Sequence, residues 1–196
     1  MGYTHYWERV KEFDSENFCL AVADFRKLLP VFAEADIPLA GGTGQGEPVI
    51  SNELVCFNGS KDCGHPADHS IVLPWPSKNA GGVMLNHETK KSRWFAGTTI
   101  DSRCCNGDCS YETFYFPRVL KPSGWEKPRQ GKYFNFCKTA FRPYDLAVTA
   151  FLVIADHHLG DQIVVSSDGE QSHWFDAMML CTAILGYGLN FAKRIA

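Results

Sequence analysis

The chain has 196 residues, 45% of them hydrophobic, and its 22 acidic side chains against 19 Lys and Arg give a formal charge of −3. This apolar fraction supports a packed core and excludes wholesale disorder. The weak negative charge provides no general attraction to nucleic acid or to an anionic membrane. The sequence has no run of about 18 apolar residues that could span a bilayer and no signal-peptide pattern. We expect a soluble, cytoplasmic protein with a single domain over residues 1–196.

The first two thirds of the chain predict one long helix among several strands. Residues 3–7 are aromatic and β-branched, which favours a strand. Apolar residues at helical spacing from Phe18 to Phe32 predict a helix, which Asp14 or Ser15 caps and Pro30 breaks or kinks. Further strands are predicted over residues 49–57, 70–75, 92–96 and 111–116, with Asn58-Gly59 as a turn.

The last third predicts strand, helix, strand and helix over residues 133–139, 144–159, 162–166 and 173–187. The helix at 144–159 is apolar almost all round, so we expect it to be buried centrally. The full order of elements, β-α-β-β-β-β-α-β-α, predicts an α+β fold with about three helices packed on one face of a mixed sheet. If strands 133–139 and 162–166 share a sheet, the helix between them makes a parallel, right-handed crossover.

Eight cysteines without an export signal indicate reduced thiols. Five of them lie in polar, Gly-rich stretches, where cysteine and histidine supply ligands that suit zinc. The sequence has no Cys-x2-Cys pair, and the adjacent Cys104 and Cys105 do not easily chelate one ion side by side. We therefore expect free loop thiols and no cofactor. The alternative is a zinc ion held among Cys63, His65, His69, Cys104 and Cys109.

A basic, aromatic segment predicts a binding site for an anion. Residues 118–142 carry seven Lys and Arg against one acidic residue, with aromatic side chains that could stack on a base. Lys138 and Arg142 flank a helix start predicted at Pro143, whose unpaired N–H groups attract anions. The alternative is that Asp145 only caps this helix and that the cations are solvated. The ligand-binding candidates are Tyr6, Asn58, Lys138, Thr139, Arg142 and Asp145.

Three residues are candidates for acid–base catalysis. His5 could carry a proton near neutral pH, although a buried, hydrogen-bonded histidine is the simpler interpretation. Glu112 shares one face of a predicted strand with Phe114 and Phe116, and desolvation on that apolar face would raise its pKa as a general acid requires, unless the face is exposed. Asp168 lies in a turn after a strand, which needs no function by itself. If the strands on either side of the 144–159 helix are parallel neighbours, however, Lys138 and Asp168 emerge at the same sheet edge.

Several short strings carry a resemblance to a known group. They are MGYTHYW (1–7), CFNG (56–59), GDCSYETF (107–114), FCKTAFRPYD (136–145) and SSDG (166–169). Together they resemble a group of uncharacterised proteins encoded by bacteriophages, prophages and plasmids. Here Phe141-Arg142 replaces the Arg-Lys usual in that group. Residues 60–97 fit the group less well, so the resemblance makes them a candidate insertion. The resemblance implies an origin in a mobile element, a bacterial host cytoplasm and a shared site, but no reaction.

Three functions remain open from the sequence. The first is an accessory protein, of use in anti-defence or host takeover, that binds a small anionic, nucleotide-like ligand such as a host signalling nucleotide. The second is a hydrolase or transferase acting on such a substrate, with Glu112 or Asp168 as acid or base and His5 as partner. The third is an antagonist of a host defence or replication protein, with aromatic side chains as binding anchors. We expect neither a membrane nor an extended nucleic acid as partner.

Overall fold

The computed structural model confirms the α+β class. It describes residues 3–66, 69, 92–95, 98–101 and 103–194, with the backbone alone for 92–95 and 98–101. The helices are α1 (Ser15–Glu34), α2 (Asp145–Leu159) and α3 (Phe175–Leu185), with short 3-10 helices over Gly160–Gln162 and Gln171–Trp174. The strands are β1 (Thr4–Arg9), β2 (Leu39–Ala40), β3 (Val49–Ile50), β4 (Leu54–Gly59), β5 (Ser92–Phe95), β6 (Thr98–Asp101), β7 (Phe114–Pro117), β8 (Tyr133–Lys138) and β9 (Ile163–Ser167).

A three-stranded sheet, in the order β8-β1-β9, pairs the first strand of the chain with its last two. Both β8 and β9 are antiparallel to β1, so they run in the same direction, and α2 connects them. The predicted crossover between these strands is therefore present, with β1 inserted between them. The sheets are antiparallel and separate, whereas the sequence had predicted one mixed sheet.

The two faces of this sheet differ in exposure. Alternation along β1 buries His5, Trp7 and Arg9 on the side of the helices and turns Tyr6 and Glu8 the other way. In β8 the same alternation leaves Phe134 and Phe136 exposed by 59% and 54%. One face of the sheet therefore packs on the core, and the other is open.

Helix α2 lies at the centre of the core, as its apolar sequence predicted. Its residues 145–155 are all buried, and it packs against α1, α3 and β9. Helix α1 begins where Asp14 accepts a hydrogen bond from the Asn17 N–H at 2.9 Å. The helix continues through Pro30 to its end at Glu34, and Leu28 and Phe32 stay buried on either side of the proline. The helix therefore does not break at Pro30, where the sequence had predicted a break or a kink.

In the second sheet β4 pairs with β2, β3 and β7. The predicted single strand 49–57 is a hairpin instead, because the Ser51 hydroxyl accepts the Leu54 N–H at 3.1 Å and closes a turn between β3 and β4. Asn58 and Gly59, predicted as a turn, lie within β4. At Gly59 a Cβ would lie 1.9 Å from the Cys109 carbonyl oxygen, so this close approach requires glycine.

Strand β5 confirms the strand predicted over 92–96, and it pairs with β6. The strand predicted over 70–75 and much of the candidate insertion 60–97 lie outside the described residues. Among the helices that the structure describes, none combines the length and hydropathy needed to cross a bilayer.

Candidate metal centre and ligand-binding face

Two short segments, one after β4 and one before β7, bring four potential metal ligands together. The Cys105 Sγ lies 3.4 Å from the Sγ atoms of both Cys63 and Cys109, and the His65 Nδ1 lies 3.2 Å from the Cys109 Sγ. All four ligand atoms lie within 4.8 Å of one another. Tetrahedral bonds of about 2.3 Å to sulfur and about 2.0–2.1 Å to nitrogen separate ligands by roughly 3.6–3.8 Å. The cluster could therefore hold a metal ion.

The residues between Cys105 and Cys109 form a turn that lets both thiols face the cluster. Asn106 and Gly107 adopt positive φ angles of 53° and 82°, which Asn and Gly tolerate best, and reverse the chain. The Asp108 carboxylate then accepts both the N–H and the hydroxyl of Ser110, at 2.7 and 2.8 Å. The Cys109 thiol is buried, and burial followed by its contacts with the neighbouring thiols raises its pKa.

A carboxylate orients the histidine of this cluster from the side away from the sulfurs. Asp36, directly beyond the end of α1, places its Oδ2 3.1 Å from the His65 Nε2. Metal-binding histidines commonly donate their second ring nitrogen to a carboxylate, which fixes the tautomer and the ring orientation. His69 stacks on His65 at 4.1 Å and brings its Nε2 within 3.5 Å of the same Asp36 oxygen. Asp36, His65 and His69 form a second group of potential ligands, but Asp36 is 65% exposed.

The cluster differs in part from the predicted zinc ligands. Cys63, His65 and Cys109 were predicted, whereas Cys105 was set aside because it adjoins Cys104. Adjacent side chains point apart, so one of two neighbouring cysteines can face an ion alone, and the cluster contains Cys105 rather than Cys104. His69 lies beside the cluster as a stacking partner. The spacing Cys-x3-Cys from position 105 was the available signal.

On the open face of the β8-β1-β9 sheet, three aromatic rings form a row. Tyr6 pairs with Phe136 across the strands, and Glu8 pairs with Phe134, so all four side chains share this face. The Tyr6 and Phe134 ring centroids are 5.7 Å apart with planes at 26°, and those of Phe134 and Phe136 are 6.1 Å apart at 32°. We call Tyr6, Phe134 and Phe136 the aromatic row.

A basic cavity adjoins one end of the aromatic row. It has a volume of about 290 Å³ and is lined by Glu8, Lys127, Arg129, Lys132 and Phe134. Arg129 and Lys132 exchange backbone hydrogen bonds of 2.8 and 2.9 Å across a two-residue turn, which holds their side chains on neighbouring positions. Within the described part of the chain, none of the three cations forms an ion pair with a carboxylate. Their charge is therefore available to an anion.

Lys138 and Asp168 lie on either side of Thr4, at the other end of this face. Lys138 pairs with Thr4 across the strands, and the Asp168 N–H donates to the Thr4 carbonyl at 3.1 Å. The Tyr6 hydroxyl donates to the Asp168 Oδ1 at 2.8 Å, and this bond raises the pKa of Tyr6. The Lys138 Nζ lies 5.5 Å from the centre of the Tyr111 ring. Lys138 and Asp168, which the sequence places at one edge of a sheet if their strands are neighbours, thus both lie beside Thr4.

Three predicted site residues belong instead to a buried polar network. His5, Thr139 and Asp145 are fully buried. The Asp145 carboxylate lies 2.7 Å from the His5 Nε2, accepts the Arg103 Nε–H at 2.7 Å and accepts the Thr139 hydroxyl. Burial alone would raise the pKa of Asp145, but the Arg103 guanidinium and His5 outweigh it and hold this pKa well below the usual range. The network joins β1, β8 and α2.

The network includes a serine, a histidine and an aspartate in hydrogen-bonding order, but it is closed to substrates. The His5 Nδ1 lies 3.1 Å from the Ser167 hydroxyl oxygen, and Ser167 is only 4% exposed. That hydroxyl also donates to the Thr4 carbonyl at 3.2 Å and accepts the Gly169 N–H at 3.1 Å. These bonds fix the ends of β1 and β9, so the arrangement supports the sheet. Arg103, which the sequence did not single out, supplies its central charge.

Comparisons with known proteins do not identify a family for this chain. No protein-family model matches the chain. Comparisons with curated proteins and with solved structures also found no match. The functional argument therefore rests on the residues of this chain.

The remaining candidates all make contacts within the protein. Glu112 precedes β7, which begins at Phe114, so it does not share the buried face of that strand; its Oε2 accepts the Lys138 N–H at 2.7 Å. The Asn58 side chain is 2% exposed and makes hydrogen bonds through both its oxygen and its nitrogen. The Arg142 guanidinium donates to the Cys105 carbonyl, at the metal cluster rather than at the open face.

Proposed function

We propose that this chain is a zinc protein in which Cys63, His65, Cys105 and Cys109 hold one structural Zn²⁺. The observation that carries this proposal is the convergence of three sulfurs and one imidazole nitrogen from segments 42 residues apart. Soft thiolate ligands together with imidazole favour zinc over the hard ions Mg²⁺ and Ca²⁺. Four protein ligands leave no open coordination position, which is typical of structural zinc.

The zinc ion would connect three parts of the chain. Cys63 and His65 follow β4, Cys105 and Cys109 precede β7, and Asp36 attaches His65 to the end of α1. The described residues 60–66 and 103–110 contain no large apolar side chain, so metal–ligand bonds would supply much of the stability of these two segments.

The zinc content of the purified protein tests this proposal. Protein prepared without chelators should contain one zinc per chain, and Cys105→Ser should contain close to none because a hydroxyl is a poor ligand for zinc. Cys19→Ser is the matched control, since Cys19 lies in α1 and not in the cluster, and it should keep one zinc. A wild-type ratio near zero, or an unchanged ratio in Cys105→Ser, would contradict the proposal.

A second proposal is that the open sheet face binds a small anionic, nucleotide-like ligand. The exposed rings of Phe134 and Phe136 lie beside cations that form no ion pair with any described carboxylate, and this combination suits a base together with its phosphate. If the chain comes from a mobile element, sequestration of a host nucleotide is one use. Binding is favoured over catalysis because His5 is fully buried and Glu112 contacts backbone, which leaves Asp168 as the predicted catalytic residue at this face.

Thermal unfolding with a panel of nucleotides tests the second proposal. A ligand at 100 times its dissociation constant stabilises the native state by about 2.7 kcal/mol, which is roughly 5–11 °C in Tm at about 2–4 °C per kcal/mol. Lys138→Ala should reduce this shift and leave the unliganded Tm unchanged. Lys61→Ala, an exposed cation next to the metal cluster, should behave as wild type. Equal shifts in both variants would remove Lys138 from the site.

A further inference from the structure

We infer that the open face takes a short single strand of nucleic acid, of two or more nucleotides, rather than a lone nucleotide. This inference rests on the proposed ligand-binding function of the same face. It departs from the expectation drawn from the net charge of −3, because the cations are concentrated locally.

The positions of the cations carry the inference. Lys127, Arg129 and Lys132 line the cavity beside Phe134, whereas Lys138 ends β8 at the other end of the aromatic row. Lys132 and Lys138 are six residues apart along an extended chain, a span of about 20 Å at roughly 3.3 Å per residue. One nucleotide does not reach both ends, whereas about six nucleotides at a helical rise of 3.4 Å, or fewer when stretched, cover this distance.

The aromatic row provides more stacking surface than one base can use. Each exposed ring can stack one base, and sheets that bind single-stranded RNA commonly stack two or three bases on aromatic side chains of neighbouring strands. Tyr6 on β1 and the two phenylalanines on β8 are placed in this way, with centroids 5.7 and 6.1 Å apart. Phe134 and Phe136 are more exposed than Asn135 between them, so burial in the core does not explain these two rings.

Among the residues that the structure describes, the acidic groups on or beside this face are few, and some of them accept hydrogen bonds within the protein. Glu8 lines the cavity, and Asp168 accepts the Tyr6 hydroxyl. Beside Lys138, the Glu112 carboxylate accepts the Lys138 N–H. The four cations exceed these three carboxylates, which favours an anionic occupant over a neutral apolar protein surface. Phosphates provide that charge and bases provide the stacking partners, so one polymer satisfies both features.

Fluorescence anisotropy with labelled oligothymidine and oligouridine of one, two, four and eight nucleotides tests the inference. Affinity should rise at least tenfold between one and four nucleotides and fall with added salt, because phosphate contacts release counterions. Phe134→Ala and Phe136→Ala should each lower the affinity for the tetramer by about 5- to 150-fold, the range measured for loss of one stacked base. Tyr115→Ala is the matched control, since Tyr115 is 52% exposed on β7 of the other sheet.

Each outcome decides between the two proposals for this face. If a mononucleotide binds as tightly as the octamer, the single-strand inference is overturned and the nucleotide proposal stands. If no probe binds at low salt, both are overturned, and a protein partner becomes the occupant to test. Binding that survives Phe134→Ala and Phe136→Ala would place the strand elsewhere and overturn the inference.

Discussion

Replacing Asp145 with Asn is expected to destabilise the protein by about 3–5 kcal/mol, the usual cost of removing one partner from a buried ion pair. Asp145 is fully buried and accepts the Arg103 guanidinium, which is itself 3% exposed. The amide would leave that cation with Asp176 as its remaining carboxylate partner, at 2.7 Å. Asn retains one acceptor oxygen, so its NH2 group would face either the Arg103 donor or the His5 and Thr139 side chains, and one of these hydrogen bonds would be lost. Equilibrium unfolding in urea at neutral pH measures the loss.

The pH dependence of this loss gives an independent check. The pKa of Asp145 lies below its ordinary value in the folded protein, so its contribution is present at neutral pH. That contribution disappears as the pH falls from about 5 through the unfolded pKa near 4 and onward to the folded pKa. The difference in stability between wild type and Asp145→Asn should therefore shrink on acidification. The exposed Asp161→Asn should change stability by less than about 0.5 kcal/mol, and a similarly small effect at Asp145 would contradict the network.

Removing zinc from the wild-type protein is expected to lower its Tm substantially. If free zinc exceeds the dissociation constant a thousandfold, binding contributes about 4.1 kcal/mol, or roughly 8–16 °C for a chain of this size at about 2–4 °C per kcal/mol. Thermal unfolding with an excess of chelator measures this loss, and added zinc should restore the Tm.

Two variants separate zinc removal from general effects of the chelator. Cys105→Ser should unfold at the lower Tm with or without chelator, because it has no zinc to lose. Cys19→Ser should respond to the chelator as wild type does, since its thiol lies outside the cluster. A wild-type Tm unaffected by an excess of strong chelator would contradict a structural zinc.

Local patterns predicted much of the fold. The helical spacing from Phe18 to Phe32 and the apolar run of α2 identified two of the three helices and the buried position of α2. The hairpin within 49–57 was missed because the polar turn at 51–53 is short and Asn58-Gly59 is a stronger turn signal. In β4 that glycine serves a tertiary purpose, since it makes room for the Cys109 carbonyl. Only contacts with a distant segment reveal that role.

The candidate sites were harder to predict because their parts are far apart in sequence. Ligand types identified Cys63, His65 and Cys109, and the Cys-x3-Cys spacing pointed to Cys105, but no local rule joins residues 42 positions apart. Composition marked residues 118–142 as basic and aromatic, and strand alternation then placed Phe134 and Phe136 on the open face. No local sequence pattern identifies Arg103, because its role depends on ion pairs with Asp145 and Asp176, which are distant in sequence.

X-ray absorption at the zinc edge of the purified wild-type protein tests the metal centre most directly. We expect three sulfur neighbours at about 2.3 Å and one nitrogen neighbour at about 2.0–2.1 Å, which correspond to the three cysteines and His65. A spectrum with oxygen and nitrogen neighbours alone, or a sample without zinc, would contradict the assignment of Cys63, His65, Cys105 and Cys109 as zinc ligands.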